Sequence, residues 1–168
     1  IPGIVRRDID DTQAALIMLD TNLEHRELKY SEKAYAYRMR IELQSSQGKR
    51  TDLEEGSERI DTLASAGQQH KDSRRTVAYL IRLTYLIPGL LSMVDDGKIG
   101  FKTGVGISYL SKETQEYLLH NILPPTGVKV KSSQIADLRK MQEYQALTPD
   151  VIQRVLSRKK EPFLSFTI

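Results

Sequence analysis

From Asp11 onward the apolar residues of this chain recur every three to four positions, in runs that glycine, proline or a polar cluster cuts off after a few turns. That spacing lays the apolar side chains along one stripe of an α-helix, and a stripe has to be buried against another element. Many short stripes imply several helices packed on one another, so the expected fold class is mainly all-α.

The punctuation places the elements. Asp11 or Thr12 can cap a first helix through Ala14, Ala15, Leu16, Met18 and Leu19 that ends near Asn22. Ser31 stands at the next N-cap, with Glu32 in the first turn of a helix carrying Ala34, Tyr35, Tyr37, Met39, Ile41 and Leu43. Gly48 to Gly56 is polar and reads as a linker, and Ser57 opens a helix through Ile60, Leu63 and Ala64 that stops at Gly67. Ser73 caps the following one. Pro88 starts another at its first position, and Asp95-Asp96-Gly97 stops it. Short helices over Phe101 to Leu110 and Lys112 to Ile122 lead to a boundary at Pro124-Pro125-Thr126-Gly127. A helix from Ser133 to about Tyr144 and one begun by Thr148-Pro149-Asp150 complete the pattern. Ile4 to Arg7 reads as the end of a strand, and Phe163 to Ile168 as a short extended tail.

The 168 residues suffice for one sizeable core or two small ones. The absence of cysteine excludes a disulfide framework and a thiolate metal site, and it suits a reducing cytoplasm. The longest strongly apolar stretch, Ile87 to Val94, is interrupted by proline, glycine and serine and is far too short to span a bilayer. No membrane association is expected. The start at Ile1-Pro2 instead of methionine is read as that of an internal fragment or a trimmed product. Net charge is +3, which permits a polyanionic partner without requiring one; the placement of the charges decides.

That placement is most telling between Ser73 and Leu83. Wound at about 100° per residue, Arg74, Arg75, Ala78, Tyr79 and Arg82 fall within an arc of about 140°, while Val77, Leu80, Ile81 and Thr84 lie on the other side. One face can pack, and the other shows three guanidiniums and a phenol. Two arginines in the first turn oppose the helix dipole by about 0.3 to 1 kcal/mol each, a conflict that an anionic partner removes. A helix N-terminus inserted into the major groove of DNA meets phosphates with its amides and base edges with its first side chains. Arginine there can read guanine through two parallel hydrogen bonds. Such a helix, preceded by another, reads as the recognition helix of a helix-turn-helix, although the connection Gln68 to Asp72 is longer than a standard tight turn.

The block SRRTVAYLIRLTYLIPGLLSMVDDGKI resembles the central DNA-binding domain of ParB-type partition proteins, in which a serine-arginine pair opens the recognition helix and a leucine-arginine-leucine stretch closes it. Upstream, TNLEHRELKYSEKAYAY is similar to the box that ends the family's N-terminal domain. Downstream, SQIADLRKMQEYQALTPDVIQRVLSRKKEPF resembles the extension of ParB-like proteins from plasmids and integrative elements. The resemblance implies three parts. Residues 1–47 would be the end of the N-terminal domain, a short remnant of an α+β unit. Residues 48–123 would form the helix-turn-helix domain, and residues 124–168 a helical extension. It also implies a cytoplasmic DNA-segregation or nucleoid-associated regulator that recognises a palindromic site in duplex DNA as a homodimer.

Carried over by position, Ser73 and Arg74 open the recognition helix, with Arg74 the first candidate for base contact. Arg75, Thr76 and Tyr79 share its exposed face, and Lys98, Lys102 and Thr103 are candidate phosphate contacts. Arg82 matches a family arginine and is read as a structural ion-pair partner. Many ParB-type N-terminal domains bind cytidine triphosphate with magnesium, and Asn22 and Arg26 match residues of that nucleotide box. The resemblance therefore implies CTP and Mg for the full-length protein. Thr21 stands where the family carries glutamate, and the phosphate-cradling glycine-x-arginine-arginine box would precede Ile1, so no cofactor and no catalytic residue are expected in this fragment.

His25, His70 and His120 are scattered without ligand spacing, Asp95-Asp96 reads as a helix stop, and Gly104-Val105-Gly106 lacks the third glycine of a dinucleotide loop. Two other readings compete with DNA binding. One is a nucleotide-dependent clamp or nuclease completed by a preceding segment; the other is a helical adaptor for a partner ATPase.

Overall fold

The computed structural model describes residues 8–25, 27–48, 62–68, 72–123 and 130–157. Every regular element among them is helical, and the fold is all-α. The expected strand end at Ile4 to Arg7, the start of the helix at Ser57, the linker after Gly48 and the tail from Phe163 lie outside the described residues.

Several of the helices start where a side chain or a proline takes care of the first amides, and the first two starts differ from expectation. Helix α1 (Asp11–His25) is capped one residue earlier than expected, by Asp10, whose carboxylate accepts the Gln13 N–H at 2.7 Å. It also runs a turn beyond Asn22, because Leu23 prolongs the buried stripe begun by Leu19. Helix α2 (Tyr30–Gly48) opens with Glu32 reaching back to the Lys29 N–H at 2.9 Å. Ser31, expected as its cap, lies inside the first turn. Its N–H and hydroxyl both donate to the Asp95 carboxylate, at 2.9 and 2.5 Å, so a side chain 64 positions away serves this helix start.

Helix α3 (Thr62–Gln68) leads into α4 (Arg74–Leu83), and α5 (Pro88–Asp95) carries proline at its first turn as the sequence suggests. Helix α6 (Phe101–Ile107) stops three residues short of the expected Leu110. Helix α7 (Lys112–Tyr117) widens into a π-helical turn, Leu118–Ile122, that keeps both Leu118 and Ile122 in the core. Helix α8 (Ser132–Glu143) and α9 (Pro149–Ser157) follow, tied together by Gln134, whose amide donates to the C-terminal carbonyls of Val155 and Leu156 in α9.

Two apolar clusters hold these helices. The larger gathers Leu83, Leu86, Leu90, Val94, Ile107, Leu118, Ile135, Leu138 and Ile152, with Ala34 from α2. The smaller gathers Leu23, Tyr37, Ala66, Val77 and Leu80. Helix α4 belongs to both, sending Val77 and Leu80 into one and Leu83 into the other. Gln115 is the buried polar joint of the larger cluster. It accepts the Ile87 N–H at 3.0 Å, which would otherwise be an orphan at the start of α5, and donates to the Leu110 carbonyl at 3.0 Å. Among the described residues no helix is long and apolar enough to cross a membrane.

Candidate functional site

The segment from Ser73 to Leu83 folds as the periodicity demands. Val77, Leu80 and Leu83 are buried, while Arg74 and Arg75 stand exposed in a first turn that contains no acidic side chain. Ser73 sits just before it in extended backbone, and its hydroxyl accepts the Thr76 N–H at 3.1 Å and lies 2.8 Å from the Thr76 hydroxyl. One turn on, Arg75 Nε donates to the Tyr79 hydroxyl at 2.9 Å. Its guanidinium carbon lies 5.2 Å from the Tyr79 ring centroid.

Contacts of Asp72, just before α4, tie its start to α3 and α2. The Asp72 N–H donates to the Gly67 carbonyl at 3.0 Å, which ties the residue before Ser73 to the end of α3. The Asp72 backbone lies so close to Gly67 that a Cβ there would run into the Asp72 carbonyl oxygen and meet Val77 Cγ2 at 2.9 Å, so glycine is required. The Asp72 side chain is held from the other side by α2: the buried Tyr37 hydroxyl donates to Oδ2 at 2.6 Å, and Lys33 Nζ lies 3.7 Å away. Burial first, then the bond to Asp72 and the charge of Asp72, push the Tyr37 phenol well above its ordinary pKa.

Beside the exposed turn of α4 runs an open groove of about 600 Å³. Ser73, Arg75, Thr76 and Tyr79 form one wall, Phe101 and Lys102 of α6 contribute the next, and Ser132 and Arg139 of α8 line the groove as well, with Tyr109 from the turn after α6. Among the described residues that line it there is no aspartate or glutamate, so Arg75, Lys102 and Arg139 give this lining a positive charge in a chain of modest net charge. The geometry depends on Gly106, where a Cβ would meet Ile135 Cγ2 at 2.9 Å; its bareness lets α8 approach α6. The Gly104-Val105-Gly106 sequence is thus a helix-packing element within α6.

Of the residues singled out by sequence, Ser73, Arg75, Thr76, Tyr79 and Lys102 converge on this groove. Arg74 is exposed on the same helical turn but outside the groove lining. Thr103 belongs to α6 yet does not line the groove, and Lys98 sits in the turn after α5 with Nζ 3.0 Å from Asp96 Oδ2, outside it as well. Arg82 makes no ion pair among the described residues, contrary to the expectation. Instead Nη2 donates to the Ser108 carbonyl at 2.8 Å, and the guanidinium lies over the rings of Tyr85 and Tyr109, at 4.5 and 4.0 Å. Asn22 is half-buried in α1, away from the groove, and Arg26 lies outside the described residues. No group of three or more His, Asp or Glu among the described residues is arranged to hold a metal ion.

Phe101, Tyr109, Ser132 and Arg139 are among the groove residues that escape a sequence reading. Phe101 stacks on Tyr30 with centroids 5.0 Å apart and meets Tyr79 at 6.4 Å, so it serves as a bridge between α2 and α4. Arg139 was visible as a charge in the extension, but only the packing of α8 on α6 brings it opposite α4. Neither a protein-family model nor a curated protein matches this chain.

Proposed function

We propose that this chain binds double-stranded DNA, using α3 and α4 as a helix-turn-helix with α4 entering the major groove. In this reading it belongs to a ParB-like partition or nucleoid-associated regulator that acts as a dimer. The observation that carries the reading is a groove whose described lining has cations and no acidic side chain: it flanks α4, whose first turn exposes two arginines, and it adds Lys102 to them. An element pushed against a polyanion needs this distribution, with base-reading side chains at the tip and cations along the flank. Arg74 occupies the tip and is the base-reading candidate. Arg75 and Lys102 lie along the flank and are phosphate contacts.

The test is anisotropy of labelled duplexes, including those from the protein's own genomic neighbourhood, across a salt series. Two phosphate contacts per bound copy give a slope of log affinity on log salt of about −1.8, or roughly a twelvefold loss from 50 to 200 mM salt. Arg74→Ala is expected to cost about 1 to 3 kcal/mol and to flatten base preference. Absence of salt-sensitive binding to any duplex refutes the proposal.

A further inference from the structure

Arg139 sits in the segment that follows the α4 domain in sequence, yet it faces the same groove as Arg75 and Lys102. Its guanidinium carbon lies 4.0 Å from the Tyr109 ring centroid. Among the described residues no ion pair engages it. Tyr109 is itself fixed, because Arg82 lies at the same distance from that ring while donating to the neighbouring Ser108 carbonyl. A guanidinium stacked on an aromatic ring keeps its in-plane N–H donors available, and those donors match phosphate oxygens. Being held already, it loses little freedom when a phosphate arrives.

We propose that α8 is a second wall of the DNA interface, with Arg139 as a backbone-phosphate contact and Tyr109 as the residue that positions it. The inference rests on the duplex-binding reading above and adds to it a contact made from outside the helix-turn-helix. Arg139 faces a groove that already holds the cations Arg75 and Lys102, and Ser132, also on its wall, opens the same helix. A third phosphate contact steepens the salt slope of the whole chain from about −1.8 to about −2.7 per bound copy.

The experiment measures the salt slope of the whole chain and of three variants on two duplexes of unrelated sequence. Arg139→Ala is expected to make the slope shallower by about 0.9 and to weaken both duplexes by the same factor. Arg139→Lys is expected to retain the slope, because the charge remains. Tyr109→Phe is expected to behave as the parent, because the ring and not the hydroxyl carries the contact. Thermal melts accompany each variant, and Arg139→Gln replaces the alanine variant if that one unfolds. If the parent binds with salt sensitivity but the Arg139→Ala slope is unchanged, the second wall is overturned and the duplex reading stands. A change of base preference without a change of slope overturns it equally. If the parent binds no duplex, both readings fall together.

Discussion

Replacing Tyr37 by phenylalanine removes one oxygen atom from the place where α2 fixes the start of α4. The ring is fully buried, and the hydroxyl donates to Asp72 Oδ2 at 2.6 Å. A hydrogen bond to a charged group contributes about 1.5 to 3 kcal/mol. The Asp72 side chain is 19% exposed and keeps Lys33 nearby, so water recovers part of that, and the expected loss is about 1 to 2 kcal/mol. For a chain of this size the melting temperature falls by roughly 2 to 8 °C.

The pH dependence makes this test more discriminating. Because the Tyr37 pKa is raised in the folded state, its contribution is fully present below the unfolded tyrosine pKa of about 10 and is lost as pH rises above it. At pH 11 the wild type has lost about 1.4 kcal/mol relative to Tyr37→Phe, so the gap between them closes. Urea titrations of both proteins at pH 7, 10 and 11 read this directly. An equal gap at pH 7 and pH 11, or no gap at pH 7, would refute the buried hydrogen bond as a clamp on Asp72.

Two further substitutions probe the same framework. Gly67→Ala drives a Cβ into the Asp72 backbone oxygen and Val77, and is expected to cost about 1 to 3 kcal/mol or more and to speed exchange of the Asp72 amide, read by urea melts and hydrogen exchange. Gln115→Ala strands the Ile87 N–H and the Leu110 carbonyl in the larger cluster, and a loss of about 2 to 5 kcal/mol is expected in the same melts. A loss under 1 kcal/mol would mean that water replaces the amide.

The fold was legible in the sequence because helix formation depends on neighbours within a turn. The faces of α4 follow from spacing alone, with Val77 and Leu80 inside and Arg74 and Arg75 outside. The helix starts were less legible. Asp10 and Asp11 are equivalent to a composition argument, and Ser31 looks like a cap until Asp95 arrives from α5 to take its donors. Half of the groove was legible, since Ser73, Arg75, Thr76 and Tyr79 share one helical segment. The rest, Lys102 apart, was not. Tyr109 and Arg139 come from segments whose proximity is set by the bare backbone at Gly106, and a glycine in a helix carries no local sign of what will pack against it.

The division of α4 between two apolar clusters has a consequence for how it meets a partner. A helix anchored in a single cluster can peel away by local opening, whereas releasing α4 withdraws Val77 and Leu80 from one cluster and Leu83 from the other in the same event. Its exposed turn is therefore ordered before any encounter, and little entropy remains to be lost on contact. The same sharing predicts that the two clusters open together, so that the amides of α4 exchange as slowly as that of Leu90.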